Sequence, residues 1–462
     1  MTETWYYMYY ERIKVVLIRK IESEITKFRK THPKHALLLT GARQVGKTFI
    51  VRETAKALYG SFLEINFIKQ TNAKALFENL KDEEDFFLRL SAFTDKTLER
   101  GNTLIFFDEV QECPEVVTYI KFLVDDGRYQ YILTGSLLGV ELKDLRSVPV
   151  GYLRELDMYP LDFEEFLTAC GFKPELFEHI KQCWEKRETV NNGVHVKLLE
   201  LLKLYLVVGG MPAAVQKYLD TKNISEVVAE QRAILREYRK DAAKYDKASK
   251  FKIERALDLI PEELNKKNKR FLVSDLKEGS RFDRLEDNFI WLEEAGIGLA
   301  AYSITDPRPP LRLSRDSSFF KLYMNDVGLL AAMYSDGIQL KILSGDLEIN
   351  FGSVYENFVA QELHAHGHQL YYFNSRKIGE VDFIVEHVGQ IEPIEVKSGK
   401  RYRSHSALDN LIEKTEYGIT HAVVLSNANY FRDGKIEYLP VYFAMFMKKN
   451  LVPETMIYNL PI

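Results

Sequence analysis

The spacing of apolar residues changes character several times along the chain. In the first 165 residues, short apolar runs alternate with stretches of helical spacing. The runs are 36–40 (ALLLT), 61–67 (SFLEINF), 103–108 (TLIFFD), 129–134 (YQYILT) and 152–158 (YLRELDM). Several are apolar at both alternating positions, as strands covered on both faces are. Segments 74–93 and 114–125 carry apolar residues at helical spacing. The alternation predicts an α/β unit with a parallel sheet flanked by helices. From about Phe163 to Ile260 the spacing becomes helical, punctuated by Gly209-Gly210-Met211-Pro212, which predicts a tight helix–helix turn. Residues 253–334 read as short helices followed by a strand-rich stretch that turns at 306–310 (DPRPP), a pattern compatible with a winged helix. From Gly352 a helix (SVYENFVAQELHAH) precedes further strands (LYYFNS, GEVDFIVEHV, QIEPIEVKSG, HAVVLS), an α/β module of its own. The predicted units are 1–165, 166–252, 253–345 and 346–462.

Composition narrows the reading. A chain of 462 residues has room for roughly three domains. With 46% hydrophobic and 28% charged residues it is of ordinary globular type. The net charge of −4 excludes a uniformly basic nucleic-acid coat, though not a local basic face. Cys113, Cys170 and Cys183 are too few and scattered for a disulfide framework. The longest nearly apolar stretch, 204–215, is too short to span a bilayer and carries two glycines and a proline. Residues 1–14 lack a basic region leading into an apolar core. The expectation is a cytoplasmic, multidomain protein without a membrane partner. The aromatic run Trp5–Tyr10 reads as a helix packed on the core.

Gly41-Ala42-Arg43-Gln44-Val45-Gly46-Lys47-Thr48 matches the P-loop pattern in full, between a predicted strand and a predicted helix. Its glycines let successive N–H groups face phosphates, and the following helix aims the positive end of its dipole there. Lys47 is placed for the β- and γ-phosphates of ATP and the Thr48 hydroxyl for Mg²⁺. The strand 104–107 ends in Asp108-Glu109. Asp108 is the candidate to hold Mg²⁺, and Glu109 to orient and deprotonate the attacking water. Thr134 or Ser136, where the next strand ends, is a candidate γ-phosphate sensor.

GARQVGKT, DEVQECP, LTGS, MYPLDFEEFL and YLVVGGMP together resemble the AAA-type ATP-binding proteins of bacteria and archaea that carry a C-terminal domain of unknown function. The likeness runs over essentially the whole chain. It implies a P-loop NTPase core with an extra strand between the P-loop strand and the acidic-pair strand. It further implies a helical lid, a winged-helix-like region and a nuclease-like α/β terminal domain. Such ATPases often need an arginine finger, in cis or in trans. Arg146 and Arg154 are near the right strand, and a finger in trans would come from a homo-oligomer or another protein.

In the terminal module Glu356, Asp382, Glu395 and Lys397 resemble the PD-(D/E)XK nuclease arrangement, with Val381 in place of proline. Glu395 and Lys397 share a strand face by their period of two. A metal reading gives Asp382 and Glu395 to Mg²⁺, Glu356 to the metal's support and Lys397 to water and phosphorane. His364, His366 and His368 read as histidines at a helix C-terminus, where the dipole favours them. Residues 236–252 place seven Lys or Arg at helical spacing, and Arg281, Arg284, Arg308, Arg312 and Arg315 add charge in the winged region. Duplex DNA is therefore a candidate partner. Three readings follow: an ATP-hydrolysing switch, a DNA-binding or scaffold protein with ATP as a static ligand, and an ATP-regulated nuclease.

Overall fold

The computed structural model describes residues 17–31, 34–135, 151–245, 250–266, 286–345, 352–387 and 389–449. Ser136, Arg146, Arg281, Arg284 and the Trp5–Tyr10 run lie outside them. The N-terminal unit contains α1 (Ile21–Thr31), β1 (Ala36–Thr40), α2 (Lys47–Leu58), β2 (Ser61–Asn66), α3 (Glu83–Phe93), β3 (Thr103–Asp108), α4 (Glu115–Asp126), β4 (Gln130–Thr134) and β5 (Leu153–Asp157). The five strands form one parallel sheet in the order β2-β3-β4-β1-β5. Strand β4 separates the P-loop strand β1 from the acidic-pair strand β3, as the family resemblance implies. Alternate residues serve opposite faces. Leu37, Leu39, Leu104, Phe106 and Ile132 join one apolar cluster, and Leu38, Ile105, Phe107, Tyr131 and Leu133 join the other. Every residue of β3 is buried, which explains its unbroken apolar run.

Helices α5 (Phe163–Ala169), α6 (Pro174–Lys186), α7 (Asn192–Val208), α8 (Pro212–Thr221) and α9 (Ile224–Tyr245) follow. Asp162 and Glu165 close a capping box at the start of α5. Helix α7 buries Leu198, Leu202, Tyr205 and Leu206, and its cluster runs without a break from Ile50 beside the P-loop to Phe358 and Val396 near the C-terminus. The helical region thus shares one continuous apolar core with the units on either side of it. No single described helix is long and apolar enough to cross a membrane. The bent pair α7–α8 has the length and composition, but most of its apolar residues lie in this core, Val196 being exposed.

Then come α10 (Lys250–Asn265), α11 (Glu286–Glu294), β6 (Gly298–Ile304), β7 (Arg315–Met324), α12 (Val327–Met333) and α13 (Ile338–Ser344). The β6–β7 hairpin does not stand alone as a wing. The other edge of β6 pairs in parallel with β8 (Tyr371–Ser375), giving a sheet β7-β6-β8-β9 that includes β9 (Gly379–Val381). Helix α14 (Gly352–Ala365) precedes β8. Strands β10 (Phe383–His387), β11 (Gln390–Lys397), β12 (Ala422–Ser426), β13 (Phe431–Asp433) and β14 (Ile436–Pro440), with α15 (Ser406–Ile412), complete a second, mixed sheet ordered β10-β11-β12-β14-β13. The run GEVDFIVEHV, read as one strand, is two: the chain leaves one sheet and enters the other at Asp382.

Candidate nucleotide site and C-terminal carboxylate cluster

The loop between β1 and α2 has the backbone that its glycines allow. Gly41 has φ 127° and a Cβ there would collide with the carbonyl of Met158. Gly46, at φ 101°, caps α2 in a left-handed conformation that non-glycine residues seldom adopt. Lys47 is buried, and its ammonium donates to the carbonyls of Gly41 (2.7 Å) and Ala42 (2.8 Å). Burial, only partly offset by Glu109 and Asp108, brings its pKa down to about 8.

Asp108 is the hub. Its carboxylate accepts from the Thr48 hydroxyl (3.1 Å to each oxygen), from Asn66 Nδ2 (2.7 Å) and from the Thr134 hydroxyl. Its pKa is raised, chiefly by burial, against the lowering effect of these hydrogen bonds. Asn66 ends β2 directly beside Asp108 in the parallel register. Glu109, at φ 60°, turns the chain out of the sheet, and Gln111 Nε2 donates to its Oε2 at 2.6 Å. Asn66 escaped the sequence reading because it lies in no motif; only its place at a strand end next to β3 marks it.

Three further links tie the loop to the rest of the chain. Arg19 donates to the Val45 carbonyl (3.0 Å), the Tyr159 carbonyl (2.7 Å) and Glu165 Oε2 (3.2 Å). Arg43 pairs with Asp241 of α9 at 2.7 Å, and the Tyr238 hydroxyl donates to the Arg43 carbonyl at 3.3 Å. A Cβ on Gly296, in the turn into β6, would lie 3.2 Å from the Ala42 nitrogen. Beyond them, the buried Asp326 carboxylate accepts from the Gly210 N–H and, at 2.8 Å, from the Leu329 N–H, so it caps α12 and holds the glycine turn of the helical region. A cavity of about 820 Å³ lies beside Gly41 and Ala42 and is lined also by Asp157, Tyr159, Glu293 and Tyr302, but not by Lys47, Thr48, Asp108 or Glu109. The chemistry-bearing groups therefore lie outside it.

At the other end, Glu356 on α14, Asp382 between β9 and β10, and Glu395 with Lys397 on β11 converge, all buried except the half-buried Lys397. Lys397 donates to Glu395 Oε1 at 2.6 Å, Asp382 Oδ2 accepts from the Val396 N–H at 2.9 Å, and the Tyr323 hydroxyl lies 3.5 Å from Glu356 Oε2. Burial first, then Asp382, pushes Glu395 up to about 8 in spite of Lys397. A residue outside the sequence-based set, Lys321 of β7, enters the same cluster. Its ammonium is 2.8 Å from Glu380 Oε1 and 3.9 Å from Asp382 Oδ1. Burial alone would lower its pKa; Tyr323, Glu380, Glu356 and Asp382 together raise it well above the usual lysine range.

The remaining candidates do not converge. His364 stacks edge-on against Tyr159, His366 lies 3.6 Å from Asp162, and His368 bonds the Met447 carbonyl. Among the described residues no three His, Cys, Asp or Glu side chains are grouped as ligands for a metal ion. Arg154 is exposed on the edge strand β5. Of the basic residues, Arg239 pairs with Asp258, Lys240 with Glu237 and Arg308 with Asp306, while Arg315 covers the Tyr302 ring.

Residues 33–167 match the family model described as AAA domain. This part of the chain is an AAA-type P-loop domain. Residues 199–341 and 351–443 match two models described as domains of unknown function, DUF8612 and DUF4143. No curated protein matches the chain. Among solved structures, a Walker-type ATPase of Pyrococcus abyssi is 15% identical over 69% of this chain and 96% of its own, with a TM-score of 0.41. The Orc1 protein of Aeropyrum pernix in complex with DNA is 12% identical over 73% and 95%, with a TM-score of 0.26. Cdc6p of Pyrobaculum aerophilum is 13% identical over 72% and 97%, with a TM-score of 0.25. These likenesses are too distant to carry function, and the AAA domain stands on its own motifs and strand order.

Proposed function

We propose that the chain is an ATP-binding, ATP-hydrolysing switch whose AAA domain passes nucleotide state to the C-terminal modules. The single observation that carries this is the Asp108 hub, which joins the P-loop hydroxyl of Thr48, the β2 end at Asn66 and the β4 end at Thr134 next to Glu109. The residues fit Mg·ATP. Thr48 and Asp108 form an oxygen pair suited to a hard cation, and Gly41 and Gly46 hold a loop that a side chain would distort. Mg²⁺, when bound, neutralises phosphate charge. Gly41, Ala42, Arg43, Gln44, Val45 and Gly46 supply the loop backbone. Lys47 leaves the carbonyls of Gly41 and Ala42 for the β- and γ-phosphates. Thr134 senses the γ-phosphate, and Glu109, steadied by Gln111, takes the proton of the attacking water.

Coupling runs through two contacts of the loop with the distant units, Arg43–Asp241 and Gly296 against Ala42, while Asp326 ties the Gly209–Gly210 turn to α12. A shift of the loop moves α9 and the β6 turn, and with them the sheet β7-β6-β8-β9. We read the unit 346–462 as nuclease-like, a reading supported by the order of helix α14, strands β8 to β11, helix α15 and strand β12. Of the seven basic residues of 236–252 on which the DNA-binding reading leans, Arg239 and Lys240 pair with acids.

The test is steady-state Mg·ATP hydrolysis by wild type and Glu109→Gln, with and without duplex DNA, over a range of protein concentration. Turnover lost in Glu109→Gln with ATP still bound supports the switch. Stimulation by DNA makes duplex DNA the effector, and a steep concentration dependence indicates an arginine in trans. ATP binding without turnover under any condition sinks the proposal and leaves ATP a static ligand.

A further inference from the structure

The C-terminal cluster brings near one another the carboxylates read as a metal set, though not grouped as ligands for an ion, and a lysine stands among them. We propose that Lys321 is the resident cation of this cluster, holding by charge the place a divalent ion would need, so that the wild-type chain binds no Mg²⁺ or Mn²⁺ there. The inference concerns residues outside the nucleotide site and does not depend on the ATPase reading.

Lys321 has 0% exposure and lies on β7, which packs under α14 and α10. Its ammonium faces Glu380 Oε1 at 2.8 Å, Asp382 Oδ1 at 3.9 Å and the Tyr372 ring at 4.9 Å from the centroid. The approach to Glu380 is ionic, its angle falling outside that of a hydrogen bond. A buried ammonium without anions nearby is costly, so Lys321 and this acidic group require one another. The oxygens a metal would take are also engaged. Asp382 Oδ1 faces Lys321 and its Oδ2 accepts from Val396; Glu395 Oε1 is held by Lys397. Glu395 Oε2, buried, has no hydrogen-bond partner among the described residues. Mg²⁺ requires near-octahedral oxygen ligands at about 2.0–2.1 Å. With the Lys321 ammonium already 3.9 Å from Asp382 Oδ1, a divalent cation bound to that carboxylate would meet a like charge inside a buried site, where repulsion is strong.

The ammonium has a structural consequence as well. Lys321 comes from the hairpin, whereas Glu380 and Asp382 come from the chain as it crosses between the two C-terminal sheets. The pair therefore fastens the region matched by one domain of unknown function to the region matched by the other. A metal in its place would fasten only the terminal module to itself.

The test is Mn²⁺ titration of the full chain without nucleotide, followed by the electron paramagnetic resonance of free Mn²⁺, in wild type, Asp382→Asn, Lys321→Met and Lys321→Met/Asp382→Asn. Including Asp382→Asn separates this cluster from any Mn²⁺ held at Thr48 and Asp108. The expected result is no Asp382-dependent site in wild type. Lys321→Met should gain a site at least about tenfold tighter, equivalent to about 1.4 kcal/mol, and the double variant should lose it again. Should Lys321→Met not fold, Lys321→Met/Glu380→Gln, with one charge fewer to compensate, takes its place; should neither fold, wild type against Asp382→Asn decides. An Asp382-dependent Mn²⁺ site in wild type overturns the proposal, and so does a folded Lys321 variant that gains none.

Discussion

Lys47 and Lys321 are both lysines sealed from solvent beside carboxylates, and their surroundings push them in opposite directions. Lys47 donates to two backbone carbonyls of its own loop, with Asp108 already committed to Thr48, Asn66 and Thr134. Burial therefore outweighs the nearby acids and its pKa falls to about 8. Lys321 faces acids drawn from two other segments, and these outweigh its burial. The first lysine is left short of negative charge, which suits a group whose partner is a phosphate yet to arrive. The second already has its anions. A binding site and a structural pair can thus be told apart by which way burial and charge balance, even when residue types and exposure match.

The strongest way to sharpen this contrast is at Glu109, on the side where chemistry is proposed. Glu109→Gln should lower turnover by about 10²–10⁴-fold, the usual worth of a positioned general base, with ATP affinity nearly unchanged. Gln111→Ala, which only loosens Glu109, should cost less, and equal losses in the two variants would mean that Gln111 itself touches the reacting water. Next in size are the lysines. Lys321→Met leaves a buried acidic group unpaired and should cost about 3–5 kcal/mol in urea unfolding, with much of the loss recovered in Lys321→Met/Glu380→Gln. Lys47→Met removes a charge that folding strains against, so the nucleotide-free chain should lose little stability or gain some. If both lysine variants lose the same amount, the contrast fails.

The sequence made the nucleotide site legible because its parts are contiguous: GARQVGKT and the strand ending at Asp108-Glu109 each carry their own spacing. The one strand between β1 and β3 is expected as well, but from family likeness and not from periodicity, which predicts a strand without its neighbours. That limit explains the hairpin. The period of β6 and β7 says that two strands exist; that β6 also pairs with β8, some seventy residues on, depends on tertiary packing. It explains Lys321 too, which sits in FFKLYM with no local pattern, about sixty residues before Asp382. Asp326 was invisible for the same reason, since the glycine turn it holds lies more than a hundred residues earlier. Asp326→Ala should orphan buried N–H groups at Gly210 and Leu329 and cost about 1–3 kcal/mol, less than breaking the Lys321 pair. Hydrogen exchange should show the loss at both α12 and the Gly209–Gly210 turn; loss at α12 alone would make Asp326 a helix cap and nothing more.

The smallest effect is a pH dependence, and it tests the two lysines with opposite signs. Folded Lys47 sheds its proton near pH 8, while the unfolded chain keeps it to about 10.5. Between those values the unfolded state binds more protons, so Lys47 makes stability rise with pH. Lys321 is shifted upward, so its contribution is fully present below 10.5 and is lost only above that. ATP binding adds a readout that only Lys47 moves. Phosphates favour the ammonium, so affinity should be level below about pH 8 and weaken above it by up to about tenfold per pH unit, with about half a proton taken up on binding at the midpoint. Calorimetry at pH 8 in two buffers of different ionisation enthalpy measures that uptake. Uptake near zero, with affinity level to pH 9.5, would mean that Lys47 stays charged in the empty loop, and that burial there is offset as fully as it is around Lys321.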